Sequence, residues 1–259
     1  MSAVTIEGPA DGHPVVLLHG GGGNRRMWAR TVRGLADRYR VIAPDLPGHG
    51  DLRSQRFDLR GASDLVEDTI DREAAGRAVV VGLSLGGYVA ITLAAGSPER
   101  LSGLVLSGAT AEYLGRGGLA TRLAAIPVRL AAGWFDRKSA EAITSIAPPD
   151  IAEPMLAAGL SSRGAADALW RLPGRDYHAM LAGYRGPLLI LNGERDHENR
   201  KAEPRALAAW PQARVEVVMD AGHACAVRQP DRFTDAVRSF LDGLSESRPA
   251  GTRSPVDAL

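Results

Sequence analysis

Residues 79–87 read VVVGLSLGG and place Ser84 between Gly82 and Gly86, directly after an apolar run and before a helical pattern. A serine on a strand-to-helix turn is driven toward positive φ, which is tolerable only where its neighbours lack side chains. The two glycines supply that room, and Gly87 lets the following helix pack close to a sheet. The hydroxyl is then held out beside a helix N-terminus, where the Leu85 N–H can face a developing negative charge. The chemistry open to such a serine is attack on an ester or similar carbonyl. It needs an imidazole to take its proton and a carboxylate to orient the imidazole. Six histidines are available. The segment NGERD offers Asp196 as the carboxylate, with Glu194 and Glu198 as rivals, and a carboxylate at a strand end can reach an imidazole from the next loop. The same pattern would also suit an ordinary glycine-rich turn. A cysteine enzyme would want its thiol on the turn, so the lone Cys225 reads as a packed, inert thiol.

These groups need a scaffold, and the apolar runs describe one. VVLLH (15–19), RVIA (40–43), AVVVG (78–82), GLVLS (103–107), PLLIL (187–191) and RVEVVM (214–219) are short, rich in β-branched residues and bounded by Gly, Pro, Asp or Asn. Continuous apolar character means both faces are covered, as in a parallel sheet. Helical patterns fall between them at about 25–38, 63–75, 85–95, 202–209 and 231–241. Alternating strand and helix predicts an α/β fold with helices on both faces of a mostly parallel central sheet. The rhythm breaks once, over about eighty residues between the runs GLVLS and PLLIL, far too many for one crossover. That stretch is rich in Ala, Leu and Arg at helical spacing with five prolines as breaks, which predicts a helical cap over 110–185. The core is then 1–109 and 186–244, and the polar segment 245–259 is expected to be a mobile tail.

The stretch around Ser84 resembles the nucleophile elbow of the α/β-hydrolase fold superfamily, and the resemblance extends from about Pro14 to Leu244 in several segments in the expected order. HGGGGNRRMW (19–28) resembles the family's oxyanion loop, including Trp28 eight residues after Gly20. The resemblance gives Gly21 the second oxyanion N–H beside that of Leu85, with Gly20 and Gly22 against the substrate. A phosphate loop would instead end in Gly-Lys-Ser/Thr, and none is present. PDLPGHG (44–50) resembles a structural turn, so Asp45 and His49 are assigned no chemistry. The resemblance makes Asp196 the triad acid. It makes His223 the base, in DAGHACAVRQPDRF before the final helix. No carboxylate follows GLVLS, so the family's alternative acid position is empty. His13 reads as a loop residue, His19 as structural, His178 as solvated or packed, and His197 as an exposed neighbour of the acid. Relatives carry two antiparallel strands before the oxyanion strand; here TIEG can give one.

The resemblance implies a serine hydrolase, most simply of a carboxylic ester or lactone of a small, fairly apolar molecule, working without metal or organic cofactor. It leaves open thioester, amide and C–C bond hydrolysis, a small-molecule receptor, and a biosynthetic cyclase or acyltransferase. An Asp on the elbow would have suggested dehalogenation or epoxide hydrolysis. Leu119, Leu123, Ile126, Leu130, Trp134 and Phe135 are expected either to line an apolar pocket under the cap or to pack its helices together.

Composition bounds the partners. Hydrophobic residues make up 45% of 259, which excludes a disordered chain, and the formal net charge of +1 gives no reason to expect nucleic acid or an anionic membrane. Basic residues are almost all Arg, with only Lys138 and Lys201 as exceptions. Between Thr110 and Arg185, eight Arg and one Lys face seven acids, a balance that suits a solvated surface. One cysteine allows no internal disulfide, no basic-then-apolar leader opens the chain, and no long apolar run exists. A cytoplasmic monomer or homodimer acting on a small-molecule substrate is the expectation.

Overall fold

The computed structural model describes residues 3–246. Seven strands form one sheet: β1 (Val4–Glu7), β2 (His13–Leu18), β3 (Tyr39–Pro44), β4 (Ala78–Leu83), β5 (Leu101–Ser107), β6 (Leu188–Gly193) and β7 (Ala213–Val218). Their order is β1-β3-β2-β4-β5-β6-β7. Every pairing from β3 to β7 is parallel, and β1 alone runs antiparallel, against β3. TIEG thus supplies one antiparallel edge strand. The central strand of the sheet is β4, flanked by β2 and β5. It ends at Ser84, so the serine stands where loops from both halves of the sheet converge.

The alternation along the strands sorts the core into two layers. Val16, Leu18, Val80, Leu104 and Ile190 pack on one face with α2 (Leu59–Glu73), α3 (Leu85–Gly96) and α9 (His197–Ala209). Val15, Leu17, Val79, Val81 and Leu189 pack on the other with α1 (Ala29–Leu35) and α11 (Pro230–Glu246). Between β5 and β6 run five helices: α4 (Gly115–Leu130), α5 (Ala132–Ile146), α6 (Pro149–Ala157), α7 (Ser162–Arg171) and α8 (Tyr177–Leu181).

Helix boundaries differ from the sequence reading where caps rather than apolar periodicity set them. Asp58 accepts the Gly61 N–H and starts α2 four residues before the expected Ser63. The span expected as one helix at 25–38 divides into a 3₁₀ turn, Arg25–Trp28, and α1. α9 begins at His197, not 202, because HENRKAEP is helical without an apolar stripe. α11 continues through Ser245 and Glu246, and the rest of the expected tail lies outside the described residues. Among the described residues, no helix is long and apolar enough to cross a membrane.

Candidate active site

Ser84 holds φ 52° and ψ −114°, a conformation that only its surroundings can enforce on a residue with a side chain. Those surroundings are tight. A Cβ on Gly82 would come within 2.5 Å of the Gly86 carbonyl, and one on Gly86 within 2.3 Å of the Leu18 carbonyl oxygen. The turn is therefore closed against β2 by bare backbone, and the serine side chain points away from it. Ser84 Oγ lies 2.8 Å from His223 Nε2, and His223 Nδ1 lies 2.8 Å from Asp196 Oδ2. Asp196 Oδ2 can only accept from a neutral imidazole, so Nδ1 carries the proton and Nε2 is left free to accept from the serine hydroxyl.

Each member is held by a different loop. Ser84 follows β4, Asp196 follows β6 at the mouth of α9, and His223 follows β7. Asp196 is buried, whereas the His223 side chain is half exposed. Burial is the largest single influence on the Asp196 carboxyl and pushes it up, but hydrogen bonds from His223 and Asn199 together hold it below its usual range. The rival acids Glu194 and Glu198 are exposed, and Glu194 accepts the Asp220 N–H instead. Gly108, just after β5, has φ +59°, and a Cβ there would sit 2.8 Å from His223 Cε1. The imidazole thus rests on backbone that carries no side chain.

The glycine loop lies beside the elbow. A Cβ on Gly20 would be 3.7 Å from Ser84 Cβ, and one on Gly21 would be 3.7 Å from Leu85 Cβ. Leu85 opens α3, where helical geometry leaves its N–H without an intrahelical acceptor. His19 anchors the loop. Its Nδ1 lies 2.9 Å from the Gly20 carbonyl oxygen, and its Nε2 accepts the Leu46 N–H at 2.9 Å. Burial, with the Arg25 charge adding to it against the Gly20 hydrogen bond, lowers its pKa to about 4. His49 lies against His19, with ring centroids 5.1 Å apart, and burial lowers its pKa to about 3. Asp45 is buried in an ion pair with Arg25. These residues shape the loop and its turn.

A cavity of about 410 Å³ opens over Ser84 and His223, floored by Gly20–Gly23 and Leu85. Tyr113, Thr121, Ile143, Ile146, Met155 and Leu172 supply much of the rest from beyond β5, and among the described residues no Asp, Glu, Lys or Arg lines it. Trp134 and Phe135 do not line it; their rings stack edge-on, centroids 4.9 Å apart, and Trp134 is half exposed. Leu119, Leu123, Ile126 and Leu130 are also exposed and none lines the cavity; Ile126 and Leu130 instead border a separate groove with Ala166 and Trp170 of α7. The reason lies on the opposite face of α4, where Gly118 and Ala125 are buried and Thr121 reaches the cavity. A Cβ on Gly118 would come within 2.3 Å of the Tyr113 carbonyl oxygen, so that face takes only small residues.

The other histidines serve elsewhere. His13 pairs with Ser102 at 3.1 Å, at the far end of the sheet, and His197 is exposed. His178 is buried, its Nε2 2.9 Å from the Thr110 carbonyl oxygen. Cys225 is buried beside Ser107 Oγ at 3.2 Å, and burial pushes its thiol up to about 11. Sequence reasoning missed Tyr113, Met155 and Asn199; Tyr113 and Asn199 each lie six residues beyond the end of a core strand, β5 and β6, whereas Met155 follows none closely. Among the described residues, no group of three His, Cys, Asp or Glu is placed to hold a metal ion.

A model of the family described as "Alpha/beta hydrolase family" matches residues 15–236. A pimeloyl-[acyl-carrier protein] methyl ester esterase of Nitrosomonas europaea is 38% identical over 116 residues, and the match spans only 45% of each chain. One of the same name from Neisseria meningitidis is 30% identical over 244 residues, covering 89% of this chain and 94% of that one. A thermophilic esterase of Thermogutta terrifontis superposes with a TM-score of 0.78 at 28% identity, covering 93% of each chain.

Proposed function

The chain belongs to the alpha/beta hydrolase family and is a hydrolase, and from that premise we propose that it cleaves a small, apolar carboxylic ester or lactone through an acyl-enzyme on Ser84. The observation that carries this reading is the unbroken relay of 2.8 Å and 2.8 Å from Ser84 through His223 to Asp196, at the floor of a cavity without charged walls.

Ser84 Oγ attacks the carbonyl carbon as its proton passes to His223 Nε2. Asp196 then faces an imidazolium, whose charge it stabilises without taking the Nδ1 proton. The carbonyl oxygen becomes an oxyanion between the Leu85 and Gly21 N–H groups, each such donor being worth roughly 3–4 kcal/mol. The C–O bond breaks, and the alkoxide leaves with the proton from Nε2. A lactone keeps both halves in one molecule at this step. Water then attacks the acyl-enzyme, giving its proton to His223, and the acid departs as Ser84 is re-protonated.

The cavity favours an uncharged substrate. An anionic group placed among Ile143, Ile146 and Met155 would lose its hydration with no cation to compensate. Esters are favoured over thioesters and C–C bonds because the curated relatives above carry esterase names.

The test is covalent. Incubation with a fluorophosphonate and peptide mass mapping should place one adduct on Ser84, and p-nitrophenyl butyrate turnover should vanish together with free Ser84. An unlabelled Ser84 alongside undiminished turnover would remove the acyl-enzyme from the account.

A further inference from the structure

Asn199 lies in the first turn of α9, three residues after Asp196, and is buried. Residues three apart on a helix share a face, so its side chain returns toward the acid. Its carboxamide has only one workable orientation. One end lies 2.9 Å from the Thr110 N–H and 3.0 Å from the Ala111 N–H. Both of those groups donate, so that end is Oδ1 and the other is Nδ2. Thr110 Oγ1 adds a hydrogen bond to the Asn199 carbonyl oxygen at 2.8 Å.

Nδ2 therefore faces the carboxylate. It lies 3.1 Å from Asp196 Oδ1 and 3.0 Å from Oδ2. Asn192, at the end of β6, makes a parallel link: its Oδ1 accepts the Gly108 N–H at 2.8 Å, and its Nδ2 donates to Glu203 Oε1 at 2.8 Å. The segment after β5 is thus tied to β6 and α9 by two carboxamides, and one of them spends its free end on the acid.

We propose that Asn199 is a positioning residue for the reaction: it fixes the rotation of the Asp196 carboxylate and spreads its charge, and so sets how strongly His223 holds a proton. The terminal torsion of an aspartate is broad, and nothing in the Asp196 backbone dictates the plane in which its carboxylate meets Nδ1. A donor anchored on a different loop does. Hydrogen bonds to an ionised acceptor are strong enough for this role. The inference rests on the reading of Ser84, His223 and Asp196 as a triad.

Two variants separate positioning from packing. Asn199→Asp keeps an acceptor for the Thr110 and Ala111 N–H groups but sets a second carboxyl against Asp196. Two carboxyls at that distance share one proton, and the pair fails when both ionise. Its kcat on p-nitrophenyl butyrate is expected to fall as pH rises between 6 and 9, a descending limb that the wild type lacks, with KM little changed. Asn199→Ala is expected to lower kcat about ten-fold, as loss of a hydrogen bond to a charged group does. It should also raise the His223 pKa, read by NMR titration of the imidazole, because the carboxylate then acts undiluted on the ring.

An Asn199→Asp variant with the wild-type pH profile would overturn the proposal. If that variant does not fold, an Asn199→Ala protein with wild-type kcat and an unmoved His223 titration overturns it equally. The titration needs no turnover. A wild type without Ser84-dependent esterase activity would sink the ester reading while leaving the proposal to the imidazole measurement.

Discussion

The loops at the ends of β4, β6 and β7 and the helices between β5 and β6 follow opposite rules for their large side chains. Around Ser84 the backbone is fixed by close contacts at Gly82 and Gly86, and Ser84, His223 and Asp196 each find a hydrogen-bond partner on another loop. In α4 the small residues Gly118, Thr121 and Ala125 turn inward, and Leu119, Leu123, Ile126 and Leu130 turn to solvent. Close backbone approach governs in both places. In the core it selects glycines that let functional groups converge. In α4 it reserves the inner face for small side chains and displaces the large apolar ones outward.

The comparison predicts graded consequences. The largest is Ser84→Ala, which should lower kcat on a p-nitrophenyl ester by roughly 10⁶-fold while the far-ultraviolet circular dichroism stays unchanged. Asp196→Asn should follow at about 10⁴-fold, because an amide there admits the wrong imidazole tautomer, whereas Glu194→Gln should be silent. If Glu194→Gln proves the damaging change, the acid has been placed on the wrong side chain. Crossing into the helices, Ile146→Asp should raise KM for an apolar ester about ten-fold or more, since it puts an unpaired charge in the cavity. Leu123→Ser together with Leu130→Ser should leave both kinetic constants near wild type and shift Tm by only a degree or two. A large loss of activity in that pair would mean the outer face serves the site after all.

Stability against pH gives a further contrast within the core. His19 and His49 are held neutral, with folded pKa values of about 4 and about 3 against 6.5 for the free side chain. The unfolded chain takes up these protons first as pH falls. Their contribution to stability is therefore complete above pH 6.5 and is lost as pH drops toward 4 and below. A His49→Gln protein should show a shallower decline of Tm from pH 6.5 to 4, measured by calorimetry.

The sheet, its two helix layers and the order of the loops could be read from the sequence because buried parallel strands leave uninterrupted β-branched runs. Ser84 was legible from its glycines. The family pattern singled out Asp196 and His223, and the structure sets both within hydrogen-bonding reach in one chain. The start of α9 was not legible, since its first two turns carry no apolar stripe. Asn199 escaped for another reason: its meaning lies in Thr110 and Ala111, far away in sequence. The helical spacing of Leu119, Leu123, Ile126 and Leu130 was visible, but periodicity defines a face without saying which way it turns. Tyr113 and Met155 reach the cavity from separate segments that no local pattern joins.

Gly108 offers a practical handle. Its missing side chain is the clearance on which the imidazole of His223 lies, and the cavity does not draw on it. A single methyl there acts as a wedge, pushing the ring, itself one border of the cavity, off the serine, while the hydroxyl, the glycine loop and the apolar walls around Ile143, Ile146 and Met155 stay in place. Gly108→Ala is thus a route to a silenced protein that still receives its ligand, suited to fishing the natural substrate from a cell extract by affinity capture.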